Sequence, residues 1–158
     1  KKLPRLFFLI MEIKIYTDGA CIGNPGPGGW AAVVLSENEK KELYGGEKLT
    51  TNNRMELTAA IKALEYCATQ ENKQPTLKHI KIFTDSTYVK DGITVWINSW
   101  EKNNWKTADK KNVKNVDLWK KLKDLTKSNP VEWNWVKGHS ENPMNDLADK
   151  LAKKATPI

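Results

Sequence analysis

Apolar and polar positions alternate in several short runs along the chain, and each run stops at residues that punctuate structure. Residues 12–17, Glu-Ile-Lys-Ile-Tyr-Thr, put Ile13 and Ile15 on one side of an extended segment that ends at Asp18-Gly19. A period of two marks a strand with one face on a core. The stretch Gly23-Asn24-Pro25-Gly26-Pro27-Gly28-Gly29 reads as a tight turn region, and residues 30–35 as a second, β-rich strand. Residues 40–48 are expected to form a third strand antiparallel to it. The period then changes. Thr50-Thr51-Asn52-Asn53 offers N-cap side chains, and Leu57, Ile61 and Leu64 recur at helical spacing with Ala60 and Ala63 between them. Alternation returns over residues 79–84 and closes on Asp85. Ser86 then opens a helix carrying Tyr88, Val89 and Ile93, and residues 116–125 form a further amphipathic helix. Residues 130–136 alternate again up to Lys137-Gly138-His139, and a last helix runs from about Asn142 to Ala155. This order predicts an α/β fold with a mixed sheet flanked by helices.

A chain of 158 residues fits one domain and can bury a core without staples. The first ten residues are basic, then apolar, but Pro4 interrupts them and no small-residue cleavage site follows. We expect residues 1–10 to be a poorly structured extension and residues 11–158 to be a single domain. No apolar run approaches the roughly 18 residues of a membrane span. Cys21 and Cys67 form no CxxC pair and have no Cys/His cluster around them, which argues against zinc and for two reduced thiols in the cytoplasm. The formal net charge of +7 favours a polyanionic partner, although many basic proteins bind nothing in particular.

Four acids carry the candidate chemistry. Asp18 and Asp85 each follow a strand, Glu56 lies in the first turns of a helix, and Asp149 sits beside the apolar stripe Ala148, Leu151, Ala152 and Ala155 of the last helix. Taken singly, each has a plain structural use: turn residue, helix cap, dipole partner or solvated helix position. Gathered in one cleft they would repel one another unless cations were present. Hard Mg²⁺ takes carboxylate oxygens and keeps several waters.

The ordered segments Tyr16-Thr17-Asp18-Gly19-Ala20-Cys21, Thr50-Thr51-Asn52-Asn53-Arg54-Met55-Glu56-Leu57, Thr84-Asp85-Ser86-Thr87-Tyr88-Val89 and Trp135-Val136-Lys137-Gly138-His139 resemble the type 1 ribonuclease H family, as do the glycine-rich turn and Val113 to Trp119. The resemblance runs over about residues 12–155. It implies the ribonuclease H fold: a five-stranded mixed sheet, three strands antiparallel plus two parallel, with a basic handle helix. It implies hydrolysis of the RNA strand of an RNA–DNA hybrid, leaving 5′-phosphate and 3′-hydroxyl ends. It further implies two Mg²⁺ ions, with Mn²⁺ as a substitute, one holding the attacking water and the other the leaving oxygen. The metal quartet maps onto Asp18, Glu56, Asp85 and Asp149. Asp146, one turn earlier, is set aside as a helix-start carboxylate. His139 matches the family's mobile histidine, with a role in proton transfer or product release.

The same resemblance assigns substrate contacts. Asn24, Asn52, Asn53 and Thr87 are expected near the 2′-hydroxyls of the RNA strand, which donate and accept hydrogen bonds as an amide does. Thr51 and Asn115 match a phosphate pocket on the DNA strand, supported by Arg54. Between Lys90 and Lys123 lie nine lysines and four acids, and residues 96–114 match the handle. Lysines there would neutralise phosphates. Trp96, Trp100 and Trp105 are expected to divide between packing and DNA contact, with Trp96 the leading contact. A monomer without an obligate protein partner is expected. Fold alone leaves open an integrase- or resolvase-type nuclease and a non-catalytic hybrid-binding module.

Overall fold

The computed structural model describes residues 9–37, 39–70, 76–138 and 142–158. Strands β1 (Leu9–Cys21), β2 (Gly26–Ser36), β3 (Glu39–Thr50), β4 (Thr76–Thr84) and β5 (Val131–Trp135) form one sheet in the order β3-β2-β1-β4-β5. The β1–β2 and β2–β3 pairs are antiparallel, and the β1–β4 and β4–β5 pairs are parallel. The helices are α1 (Asn52–Thr69), α2 (Thr87–Asp91), α3 (Ile97–Lys102), α4 (Val116–Ser128) and α5 (Pro143–Ala155), with a π-helical turn over Gly92–Trp96 between α2 and α3. This is the expected mixed sheet, three strands antiparallel and two added in parallel.

Alternation along β1 sorts its side chains between two cores. Ile13 and Ile15 face α1 and join Leu57, Ala60, Ile61, Leu64, Ile80 and Ile82 in the larger cluster. Tyr16 faces the opposite side, where Val33 and Ala148 form a smaller cluster under α5. Burying one Leu or Ile side chain is worth about 1.5–3 kcal/mol, so the α1 face contributes most of the apolar stabilisation. Trp119 and Leu122 of α4 are fully buried and extend that core along α1.

Several boundaries differ from the sequence reading. β1 begins at Leu9, two residues before the expected domain start, and runs on through Asp18-Gly19 to Cys21. It persists because Gly28 and Gly29 keep pairing with it: Ala20 lies opposite Gly29, and Cys21 opposite Gly28. The turn is therefore shorter than Gly23–Gly29, and residues 26–29 belong to β2. His79 is inside β4 rather than at its start, and its ring nitrogens lie 3.6 Å from both Glu12 and Glu132. The helix that Ser86 caps widens into the π-helical turn where Gly92 meets Trp119. A Cβ on Gly92 would stand 2.1 Å from the indole. Among the described residues, no helix is long and apolar enough to cross a membrane.

Candidate metal centre and substrate surface

The parallel pairing of β1 with β4 sets the site. The last pair in register is Tyr16 with Phe83, whose rings stack at 4.7 Å. Asp18 and Asp85 each stand two residues beyond that pair, so the register delivers both carboxylates to one end of the sheet. The carboxyl ends of parallel strands are where α/β sheets open a crevice. Glu56 arrives from α1. Its helix approaches β1 closely because Gly19 has no side chain: a Cβ there would lie 2.6 Å from the Glu56 amide nitrogen. The N-cap of α1, Thr51, accepts from the Arg54 amide at 3.2 Å and fixes where the first turn begins.

Ligand oxygens of Asp18, Glu56 and Asp85 all lie within 4.8 Å of one another. Asp18 and Glu56 are buried, and Asp85 is half-buried. Burial together with the charges of Asp85 and Asp149 pushes the Asp18 carboxyl up to about 8, against one opposing bond from the Gly19 amide at 2.9 Å. Burial, followed by the Asp18 and Asp85 charges, holds Glu56 well above the ordinary carboxylate range. Its Oε1 is buried and has no hydrogen-bond partner among the described residues. A divalent cation would relieve both penalties, because it supplies positive charge and a bond for the orphaned oxygen. The donor set of hard oxygens fits Mg²⁺ or Mn²⁺ and not a soft metal.

Asp149 joins from α5. It lines the same cavity as Asp18, Gly19 and Asp85, and it contributes to raising Asp18. It lies outside the tight group of three, and its Oδ2 is 3.1 Å from Lys153 Nζ. Asp146, read as a helix-start carboxylate, does sit in the first turn of α5 and also lines the cavity. His139 lies outside the described residues.

Comparison with known proteins decides the family. The RNase H family model matches residues 11–156. The chain belongs to the RNase H family. It is 54% identical over 142 residues to the ribonuclease H of Parvibaculum lavamentivorans, covering 90% of each chain. With the ribonuclease H of Methylobacillus flagellatus it shares 56% over 142 residues, 90% of this chain and 89% of that one. Its fold is similar to LC9-RNase H1, a type 1 RNase H with the type 2 active-site motif, at a TM-score of 0.82 and 28% identity over 99% of this chain and 74% of that one. LC11-RNase H1, solved in complex with RNA/DNA hybrid, shares the fold at a TM-score of 0.69 and 24% identity, over 91% of this chain and 96% of that one. The protein is thus a type 1 RNase H, a nuclease of the hydrolase class.

In this RNase H, hydrogen bonds and a ring contact link several of the residues expected to meet substrate. The exposed Asn24 accepts through Oδ1 from the Asn52 amide at 2.7 Å, tying the glycine-rich turn to the start of α1. Asn53 is half-buried in that first turn, and Thr87 is exposed at the start of α2. Arg54 donates to Asn115 Oδ1 at 3.2 Å and grips Asp117 with two bonds of 3.1 and 2.8 Å. Asn115 adopts a left-handed conformation, φ 60°, and donates to the Tyr88 hydroxyl at 3.0 Å. Tyr88 leads to Trp96 by an edge contact, ring centroids 6.3 Å apart. Trp96 is 39% exposed, whereas Trp100 and Trp105 are partly buried against the main core. Of the handle tryptophans, Trp96 thus faces outward and Trp100 and Trp105 inward.

The sequence reading missed three residues here. Tyr88 was treated only as an apolar helix position, yet its hydroxyl accepts from both Asn115 and Trp119 at 3.0 Å. Trp135 donates its indole N–H to the Asp85 carbonyl at 3.2 Å. Asn145 is buried and lines the acidic cavity. A signal for the last was present, since Asn145 and Asp149 share a helix face at i, i+4 spacing.

Proposed function

We propose that this chain hydrolyses the RNA strand of RNA–DNA hybrids with two divalent cations, leaving 5′-phosphate and 3′-hydroxyl ends. The observation that carries this reading is the meeting of Asp18, Glu56 and Asp85 within 4.8 Å, with an unpartnered buried oxygen on Glu56. Asp18, Asp85 and Asp149 would hold the ions with Glu56, and Mg²⁺ is the expected metal with Mn²⁺ as the alternative. When bound, such ions activate water and stabilise the leaving oxygen of a phosphodiester. Glu56, the fifth residue of α1, would hold one ion while lying close to the 2′-hydroxyl of the cleaved nucleotide. Asn24, Asn52, Asn53 and Thr87 would contact the RNA strand. Thr51 and Asn115, braced by Arg54, would take a DNA-strand phosphate, and Trp96 would pack on a DNA sugar. The handle lysines attract the duplex without reading its sequence. His139 would shuttle a proton or assist product release. The working unit is a monomer, and the setting is cytoplasmic.

Support for the substrate comes from the family's activity and from LC11-RNase H1, a protein of this fold bound to RNA/DNA hybrid. The test is incubation with end-labelled RNA–DNA hybrid, duplex RNA and duplex DNA, with and without Mg²⁺. Cleavage restricted to the RNA of the hybrid and dependent on Mg²⁺ is expected. Cleavage of duplex DNA with the hybrid untouched would favour an integrase- or resolvase-like nuclease instead.

A further inference from the structure

Asn145 occupies the third position of α5, where its amide N–H donates to the capping Asn142 Oδ1 at 3.2 Å. The residue is only 3% exposed, and its Oδ1 has no hydrogen-bond partner among the described residues. Asn145 also lines a cavity of about 170 Å³ whose other walls are Asp18, Gly19, Asp85, Asp146 and Asp149. Four of those neighbours are carboxylates, which accept and do not donate when ionised. Asn145 is thus the one uncharged polar side chain on the described wall of an acidic cavity. A buried acceptor without a partner is destabilising, and no described residue donates to this one. Donors carried into the cavity would satisfy it. Mg²⁺ keeps several of its waters, and the protons of those waters point away from the ion toward acceptors.

We propose that Asn145 is a positioning residue for the cation, its amide oxygen accepting from a water of the hydrated metal rather than binding the metal itself. This rests on the reading of the carboxylates as a divalent-cation site and adds to it a neutral outer contact contributed by α5. The i, i+4 relation sets Asn145 beside Asp149, so one helix face offers a charged oxygen and an uncharged one to the same hydrated ion. Partners of this kind tune affinity by fixing orientation and hydration, without adding to the repulsion among the acids.

The full chain is titrated calorimetrically with MgCl₂ and with hexaamminecobalt(III), a substitution-inert cation that binds only through its ammine N–H donors. Asn145→Ala is expected to weaken both by about tenfold. Asn145→Asp, which keeps an acceptor oxygen, is expected to bind both at least as tightly as the parent chain. The cation-free melting temperature of Asn145→Ala should not fall, because the substitution removes an unsatisfied buried group. Unchanged affinities in Asn145→Ala would overturn the proposal, as would equal losses in both variants accompanied by a lowered melting temperature. Asn145→Ser, read the same way, replaces Asn145→Ala if that variant does not fold. Asp18→Asn separates the two levels of the argument. If it loses Mg²⁺ binding while Asn145→Ala does not, only the role of Asn145 fails. If Asp18→Asn binds Mg²⁺ like the parent chain, the cation site itself fails.

Discussion

Glu56 and Arg54 stand two residues apart on α1, and their surroundings could hardly differ more. Arg54 is half-exposed and finds three acceptor bonds, two on Asp117 and one on Asn115. Glu56 is buried with other carboxylates and keeps an oxygen without any partner among the described residues. The N-terminal end of one helix thus serves a surface that is complete by itself and a cleft that is not. The difference separates two functions. A recognition surface can be preformed by the protein's own hydrogen bonds, which reduces the ordering cost of binding. A buried carboxylate cluster cannot satisfy itself as ions and has to take up protons or a cation.

The largest expected effect breaks the cleft side of this contrast. Asp18→Asn should lower turnover by about 10⁴-fold while hybrid binding persists, measured by single-turnover cleavage alongside a binding assay. It should also raise the melting temperature in chelator at neutral pH, because an amide removes the cost of keeping the buried Asp18 carboxyl protonated. Unchanged turnover would refute the role of Asp18.

Next in size is the pH dependence of stability without divalent cations. Asp18 is raised to about 8, so between about pH 4 and 8 the folded state holds a proton that the unfolded state has released. Stability therefore falls as pH rises through that window, by at most about 1.4 kcal/mol per pH unit for each such proton. Denaturant midpoints measured across the window in EDTA should show this decline, and saturating Mg²⁺ should flatten it. A stability that rises with pH in EDTA would contradict the burial of the acids.

How much of this was legible in the sequence depends on the residue. The alternation of Ile13 and Ile15 with polar neighbours located β1, and Asp18 and Asp85 were identified as strand-end acids. Their juxtaposition follows from parallel register, which alternation within one strand does not encode. The continuation of β1 past Asp18-Gly19 was not legible, because glycines read as turn residues although Gly28 and Gly29 here pair across the sheet. The close approach of α1 at Gly19 is likewise a tertiary fact. For the handle, Trp96 is exposed while Trp100 and Trp105 pack against the core, a division that spacing alone does not set. The π-helical turn depends on Gly92 against Trp119, a contact across 27 positions of sequence that no local pattern reports.

Two smaller effects sharpen the surface side. Arg54→Ala removes the grip on Asp117 and the bond to Asn115. That pair is partly exposed, so the stability loss should stay below about 1 kcal/mol. Hybrid KM should rise severalfold with a smaller change in kcat, and a kcat loss without a KM change would relocate Arg54 to the cleft. Replacing Lys106, Lys110 and Lys111 together with alanine should leave kcat at saturation intact. Each lost phosphate contact should flatten the logarithmic salt dependence of hybrid affinity by up to about 0.9. An unaltered slope would remove the handle from the binding account.

The central claim concerns the cleft, and carbon-13 NMR of the Asp and Glu side-chain carboxyls tests it most directly. In EDTA, the Asp18 resonance should titrate near pH 8, far above an ordinary aspartate, and adding Mg²⁺ should move its midpoint down by several pH units. An Asp18 carboxyl that titrates at the ordinary aspartate value without cation, or one that ignores Mg²⁺, would contradict the account.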